Sequence, residues 1–319
     1  MSSVTLHISD PGDSRADKEI TDAFQNLVDG SIDVASAANV IYAAIVADGQ
    51  GPPAPLTSAP DPASGQAEDG AVPAPTPAGW LKFLWDCLGK AAMDVPHDHP
   101  GQDRLVALLQ QLQRLPQHGD AEPVAGNLSE GELRALTPVK KCNALEQWLW
   151  ELDQATFTGQ QQVESSDSAA ASYLNFSAFL ARLLAGGVAE ATRLSALIRP
   201  SPFGTSKPLI SATYPDAAEA ARHYEPYASA AAQWVSYAGD ALFEMCEKGV
   251  LVEIGRQKWT RALWNSWKAK FDTIAKADQF SDQCRRFSTQ AVERMTQIEK
   301  SPASSNIMDK FCFMFTEED

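Results

Sequence analysis

The chain has 319 residues, 44% of them apolar, enough to bury a sizeable core in one large domain or two ordinary ones. Its formal net charge is −15, and the acidity is mostly N-terminal: residues 1–150 carry 9 Lys and Arg against 20 Asp and Glu, residues 151–319 carry 17 against 21. So acidic a chain repels polyphosphate, which argues against general nucleic-acid binding.

Residues 1–16 are polar and read as disordered. Two helices follow, "KEITDAFQNLVDG" with Ile20, Phe24 and Leu27 on one face, and "SIDVASAANVIYAAIVADG" with Val34, Ala37, Ala38, Ile41 and Ile45 on another; Gly30 and Gly49 stop them. They form an N-terminal hairpin over 17–49. Residues 50–78 hold eight prolines with Ala, Gly and Ser and little apolar bulk, the composition of a flexible linker. The main domain spans 79–300. Its first helix, 80–93, sets Trp80, Leu84 and Leu88 on one stripe with Leu81 and Trp85 alongside. A second runs from about Pro100 to Leu115, and 116–138 is a proline-bearing loop. Amphipathic helices are expected over 140–157 and 171–187, the latter stopped by Gly186 and Gly187. Then come a short helix over 188–198, a long helical zone over 215–248 with Pro226 as a kink point, and helices over 256–277 and 281–299. The tail 301–319 ends apolar, then acidic. No alternating strand pattern persists, so the fold class is all-α, a single main bundle of eight to ten helices.

Cys87, Cys142, Cys246, Cys284 and Cys312 are odd in number, scattered and without a CxxC pair, which fits buried free thiols rather than a disulfide framework or zinc ribbon. The first residues lack a signal-peptide core, and no apolar run reaches the roughly 18–20 residues of a membrane span. The expected compartment is the cytoplasm.

Phosphate loops, dinucleotide fingerprints, zincin and hydrolase motifs are absent. His97, His99 and His118 sit in loops at no customary zinc spacing. "HDHPGQDRL" (97–105) reads as a helix start: Asp98 or His99 caps, Pro100 suits the first turn, and Gln102 and Asp103 favour the positive helix end. Gln102 lies three residues before Leu105, so it points inward with Leu109 and Leu112 and needs a polar partner. Either it caps a neighbouring helix end, which spacing alone favours, or Asp98, His99, Gln102 and Asp103 line one end of a cavity. Asn175 and Arg182 are seven apart on one helical face; the Arg serves an interhelix salt bridge or a substrate phosphate. Trp264, Trp267, Phe271 and Ile274 make an aromatic-rich face beside a polar one of Arg261, Asn265, Lys268 and Asp272, either an ordinary amphipathic helix or aromatic walls beside anion binders. Asp240 and Glu244, one turn apart, hold a metal or face water.

The order of "LVDGSIDVASAANVIYAAI", "LWDCLGKAAMDVPHDHPGQDRLVALLQQL", "NFSAFLAR", "AAAQWVSYAGDALFE", "WNSWKAKFDTIA" and "AVERMTQI" resembles a fungal family of largely uncharacterised helical proteins, over most of residues 20–300 less the linker. That family is similar to atypical class I fungal sesquiterpene cyclases of the humulene-synthase type, which ionise farnesyl diphosphate without the usual aspartate-rich motif. The match rests on "DHPGQ", Asp98 to Gln102; this chain has neither DDxxD nor the usual Asn/Ser/Glu metal triplet. The resemblance implies a Mg²⁺-dependent lyase of secondary metabolism. Asp98, His99 and Gln102 would be catalytic, and Asp98, Gln102 and Asp103 would hold metal. Arg182 and Lys268 would bind the diphosphate with Asn175 orienting it, and Arg261 and Asn265 would be further substrate-binding residues. Trp234, Tyr237, Trp264 and Trp267 would wall a dry pocket that stabilises a carbocation. An isoprenyl diphosphate would be the partner, and a homodimer is compatible with it. The rival reading is a non-enzymatic helical scaffold or binding protein whose polar motifs are caps and salt bridges.

Overall fold

The computed structural model describes residues 4–49, 77–114, 142, 145–157, 163, 166–188, 216–252 and 257–301. The expected linker up to Thr76, the 116–138 loop, the short helix after Val188 and the tail beyond Ser301 lie outside them. Among the described residues there are nine helices: α1 (Arg15–Asp29), α2 (Val34–Gly49), α3 (Pro77–Asp94), α4 (Gly101–Gln113), α5 (Leu145–Phe157), α6 (Asp167–Ala185), α7 (Ala217–Lys248), α8 (Arg261–Ala275) and α9 (Asp282–Lys300). The fold is all-α. The one departure is a two-residue antiparallel pairing of β1 (Leu251–Val252) with β2 (Gln257–Lys258).

By contacts the chain divides into two compact units, Met1–Lys90 with Ala107–Asn143, and Ala91–Val106 with Ala144–Asp319. In the first, Ser14 and Asp17 make a reciprocal capping box that starts α1, and Gly30, at φ 77°, ends it. Ile20, Phe24 and Leu27 are buried as their spacing requires, as are Ala37, Ala38, Ile41 and Ile45 of α2, which packs against α1. The expectation of disorder over residues 1–16 is corrected by residues 4–14. They form an arm in which Leu6 and Ile8 are buried while Thr5, His7 and Ser9 are exposed. Val-Thr-Leu-His-Ile is too short an alternation to stand out in a polar segment, yet it suffices for a period-two burial pattern.

The second unit is organised on α7, which packs against α6, α8 and α9. Asp216 caps its start and Gly249, at φ 65°, its end, and the helix continues through Pro226. Two glycines end α6 as expected, with Gly187 at φ 63°. Gly239 lets α7 approach α9: a Cβ there would come within 2.6 Å of Ile298 Cδ1. The helix expected over 256–277 begins later. Lys258 belongs to the short pairing, and Thr260 Oγ1 accepts the Leu263 N–H to cap α8. The aromatic face of α8 is core: Trp264 stands edge-on to Phe243 at 5.0 Å between ring centroids, and Trp267 to Trp259 at 4.9 Å. Cys87, Cys246 and Cys284 are buried free thiols, each pushed up to about 12 by desolvation.

Candidate functional site

The polar residues singled out between 97 and 103 converge, within the second unit, on the turn that joins α3 to α4. The last carbonyls of a helix have no partner within it and must find one elsewhere. Here Gln102 supplies one: its Nε2 donates to Ala92 O at 3.1 Å and Val95 O at 2.7 Å, with a longer contact to Asn175 O at 3.4 Å. Gln102 is 0% exposed, as its spacing with Leu105 and Leu109 implied. Its Oε1 is buried without a hydrogen-bond partner. Asn175 of α6 donates from Nδ2 to Met93 O at 2.9 Å, and its Oδ1 accepts the His97 N–H at 2.8 Å.

Arg182, one α6 heptad further on, completes the clamp. Its Nη2 donates to His97 O at 2.8 Å, its Nη1 to Ala178 O at 3.3 Å, and its Nε to Asp103 Oδ1 at 2.8 Å. The guanidinium lies 3.5 Å from the centroid of the Tyr237 ring, whose hydroxyl also donates to His97 O, at 3.2 Å. Arg182 is 8% exposed and Asp103 73%, so the ion pair joins a buried cation to a solvated acid. His99 Nδ1 accepts the Gly101 N–H at 3.0 Å, which places its proton on Nε2 and caps α4. Pro96, Asp98 and Pro100 face outward.

Of the remaining candidates, Lys268 pairs with Glu299 at 2.6 Å, and the same carboxylate accepts the Trp264 indole N–H at 2.9 Å. Burial pushes the Glu299 carboxyl up, but the bonds from Lys268 and Trp264 outweigh it and hold the group below its ordinary 4.5. Arg261 pairs with Glu247 and lies over the Phe243 ring. Asn265 is exposed; Trp234, Trp264 and Trp267 are buried. Asp240 pairs with Arg294, and Glu244 with Lys248. Thus Asn175, Arg182, Tyr237, Gln102 and Asp103 come together, whereas Lys268 and Arg261 belong to separate ion pairs. Sequence reading gave no hint of Glu299, or of Tyr237 as a backbone donor. Both are fixed by contacts that span tens of residues.

A groove of about 440 Å³ is lined by Asp282, Arg285, Arg286, Thr289 and Gln290 of α9, none of them a predicted site residue. Among the described residues no group of three or more His, Cys, Asp or Glu side chains could hold a metal ion. Of the set expected for Mg²⁺, Gln102 bonds the helix carbonyls through Nε2 while its Oε1 is unpartnered, Asp103 pairs with Arg182, and Asp98 is exposed.

His97 adds a pH dependence. Burial, aided by Arg182 and opposed by Asp98, holds its imidazole below the ordinary 6.5, and its ring stands edge-on to Phe287 at 5.3 Å. A depressed histidine pKa means that the unfolded chain takes up the proton first. Stability is therefore full above pH 6.5 and falls as pH drops from there toward the folded-state pKa. Thermal melts between pH 7.5 and 5.5 should show this decline, and His97→Gln should flatten it. An equal slope in the two proteins would assign the effect to other groups.

The fold and this site define an all-helical protein built round a clamped interhelical turn. The chain belongs to DUF3632, a family of proteins of unknown function, whose model matches residues 85–271, more than half of the chain. That span contains every clamp residue. No curated protein and no solved structure matches the chain, and no described helix is long and apolar enough to cross a membrane.

Proposed function

We propose that this protein is a non-enzymatic helical scaffold or binding protein, which holds the turn over residues 95–101 rigid and offers its outward residues, Pro96, Asp98 and Pro100, to a partner. The observation that carries this reading is the wholly buried Gln102 amide, whose Nε2 donates to the carbonyls of Ala92 and Val95 at the end of α3. The neighbouring polar groups are committed in the same way, Asn175 to Met93 and His97, Arg182 to His97 and Asp103. Ordering a recognition loop before binding removes an entropic cost from the encounter, which is a use for so much polar hardware around one turn.

The cyclase reading implied by the family resemblance asks more of these residues. Holding a diphosphate would require Arg182 and Lys268 to leave the bonds they make to His97, Asp103 and Glu299, and Mg²⁺ would have to reach Gln102 Oε1, which is wholly buried. Lys268 and Glu299 are both half-buried, so parting them leaves polar groups to be satisfied afresh. Incubating the purified protein with farnesyl diphosphate, with and without Mg²⁺, and reading extracts by gas chromatography separates the two. The expected result is unchanged substrate in both arms. A cyclised hydrocarbon that requires Mg²⁺ and disappears in Arg182→Ala would establish the cyclase instead.

A further inference from the structure

The N-terminal arm is seated by a device that reads backbone rather than sequence. Gln25, on α1, donates from Nε2 to Val4 O at 2.7 Å and accepts the Leu6 N–H at Oε1 at 2.9 Å. One side-chain amide thus engages the carbonyl of one residue and the N–H of the second after it, as a neighbouring strand would. Asp29 fixes the fork, accepting from the same Nε2 at 2.9 Å. Leu6 and Ile8, at alternate positions, are buried, and the residues between them are exposed. Backbone bonds and two aliphatic anchors make a seat for an extended segment.

The arm joins α1 through an exposed turn at Asp10–Asp13. It is closed by Asp13 N–H to Asp10 O at 3.1 Å and Asp10 N–H to Asp13 Oδ2 at 2.7 Å, and a Cβ on Gly12 would meet nothing within 4 Å. Two polar bonds at the surface are a weak latch. We propose that this arm is exchangeable: the α1 seat that holds residues 4–9 in cis takes the same arm of a second copy, giving a reciprocal dimer. The second copy fits by construction, because the occupant already seen in the seat is the segment it would bring. Exchanged and unexchanged arms make the same contacts, so the turn and the concentration of copies decide between them.

The reach of the arm supplies the test. From Ser14 to Gln25 the helix rises about 16 Å at 1.5 Å per residue. The eight steps from Leu6 to Ser14 can span up to roughly 26–29 Å, which leaves slack for the turn. Gln25 holds Leu6 by its side-chain tip, which leans toward the helix start and shortens the span, so a deletion must also take Asp10: removing Asp10, Pro11, Gly12 and Asp13 leaves four steps, about 13–14 Å fully extended, too few to leave the helix surface and reverse. The full chain with that deletion should sediment as a dimer at about 100 μM and 0.15 M salt. Adding Leu6→Ser and Ile8→Ser should return it to monomer. A monomeric deletion variant, whatever its melting temperature, overturns the proposal; so does a dimer that survives the two serine substitutions, because it would assemble through another surface. Should the deletion variant not fold, the full-length chain with Leu6→Ser and Ile8→Ser alone serves. Its seat should bind a labelled synthetic peptide of residues 2–10 at one equivalent, and lose that binding when Gln25→Ala is added. No binding up to about 1 mM peptide, or binding indifferent to Gln25→Ala, overturns it.

Discussion

Gln102→Leu lowers the melting temperature by several degrees. The substitution removes the donor shared by Ala92 O and Val95 O, both at the buried end of α3. A buried acceptor stranded in this way costs about 1–3 kcal/mol, and each kcal/mol moves the melting temperature of a domain of about 150–250 residues by roughly 2–4 °C. One contribution opposes the loss: the unpartnered Oε1 goes too, and its desolvation penalty is recovered. Two stranded carbonyls against one relieved oxygen leave a net destabilisation. Gln102→Glu is the sharper control, because a carboxylate keeps the shape and loses the donor; it should be worse than Leu at pH 7, where it would also bury a charge against carbonyls. A Gln102→Leu protein at least as stable as the parent would mean that the amide is held there for a purpose other than capping, and would revive the catalytic reading.

Arg182→Ala should cost more, about 2–4 kcal/mol. The truncation empties the space of a long buried side chain, and large-to-small changes in cores cost in this range. It also removes the guanidinium from the Tyr237 ring and one of the two donors to His97 O, although the Tyr237 hydroxyl keeps that carbonyl satisfied. Asp103 adds little, because it is largely in water and rehydrates when its partner goes. Arg182→Lys tests geometry against charge. An ammonium keeps the charge but cannot point donors at Asp103, Ala178 and His97 in the fixed directions of the fork, nor stack flat on Tyr237. It should therefore recover less than half of the loss in thermal or urea melts. Full recovery by Lys would show that only the charge matters.

Much of this was legible in the chain because helices repeat. The inward face of α4 followed from the spacing of Gln102, Leu105, Leu109 and Leu112, and that spacing already required a partner for the amide. The seven-residue interval between Asn175 and Arg182 placed both on one face of α6 and raised a salt bridge as one of two uses for the Arg. Which acid answers it could not be read: Asp103 is 79 positions away, and no local periodicity relates the two. Glu299 was overlooked for the same reason, since Lys268 and Trp264 meet it from another helix. The arm was missed on different grounds. Two aliphatic residues in a run of Ser, Asp and Gly fall below any compositional threshold, and the side chain that orders them, Gln25, reads as a surface glutamine of α1.

The clamp also has an order in time. His97 emerges from the ribosome long before the side chains that hold it, Arg182 being 85 residues later and Tyr237 140. At about 5–20 residues per second, roughly 7–28 s separate synthesis of the turn from synthesis of its last partner. Local helices form in microseconds, so α3 and α4 can exist throughout that interval with the turn between them unheld. Contacts of such long sequence separation close late because the chain entropy of the intervening loop must be lost first. This clamped turn is thus among the later pieces of the backbone to become fixed, and until α7 is made, its polar groups are open to water and to whatever else meets the nascent chain.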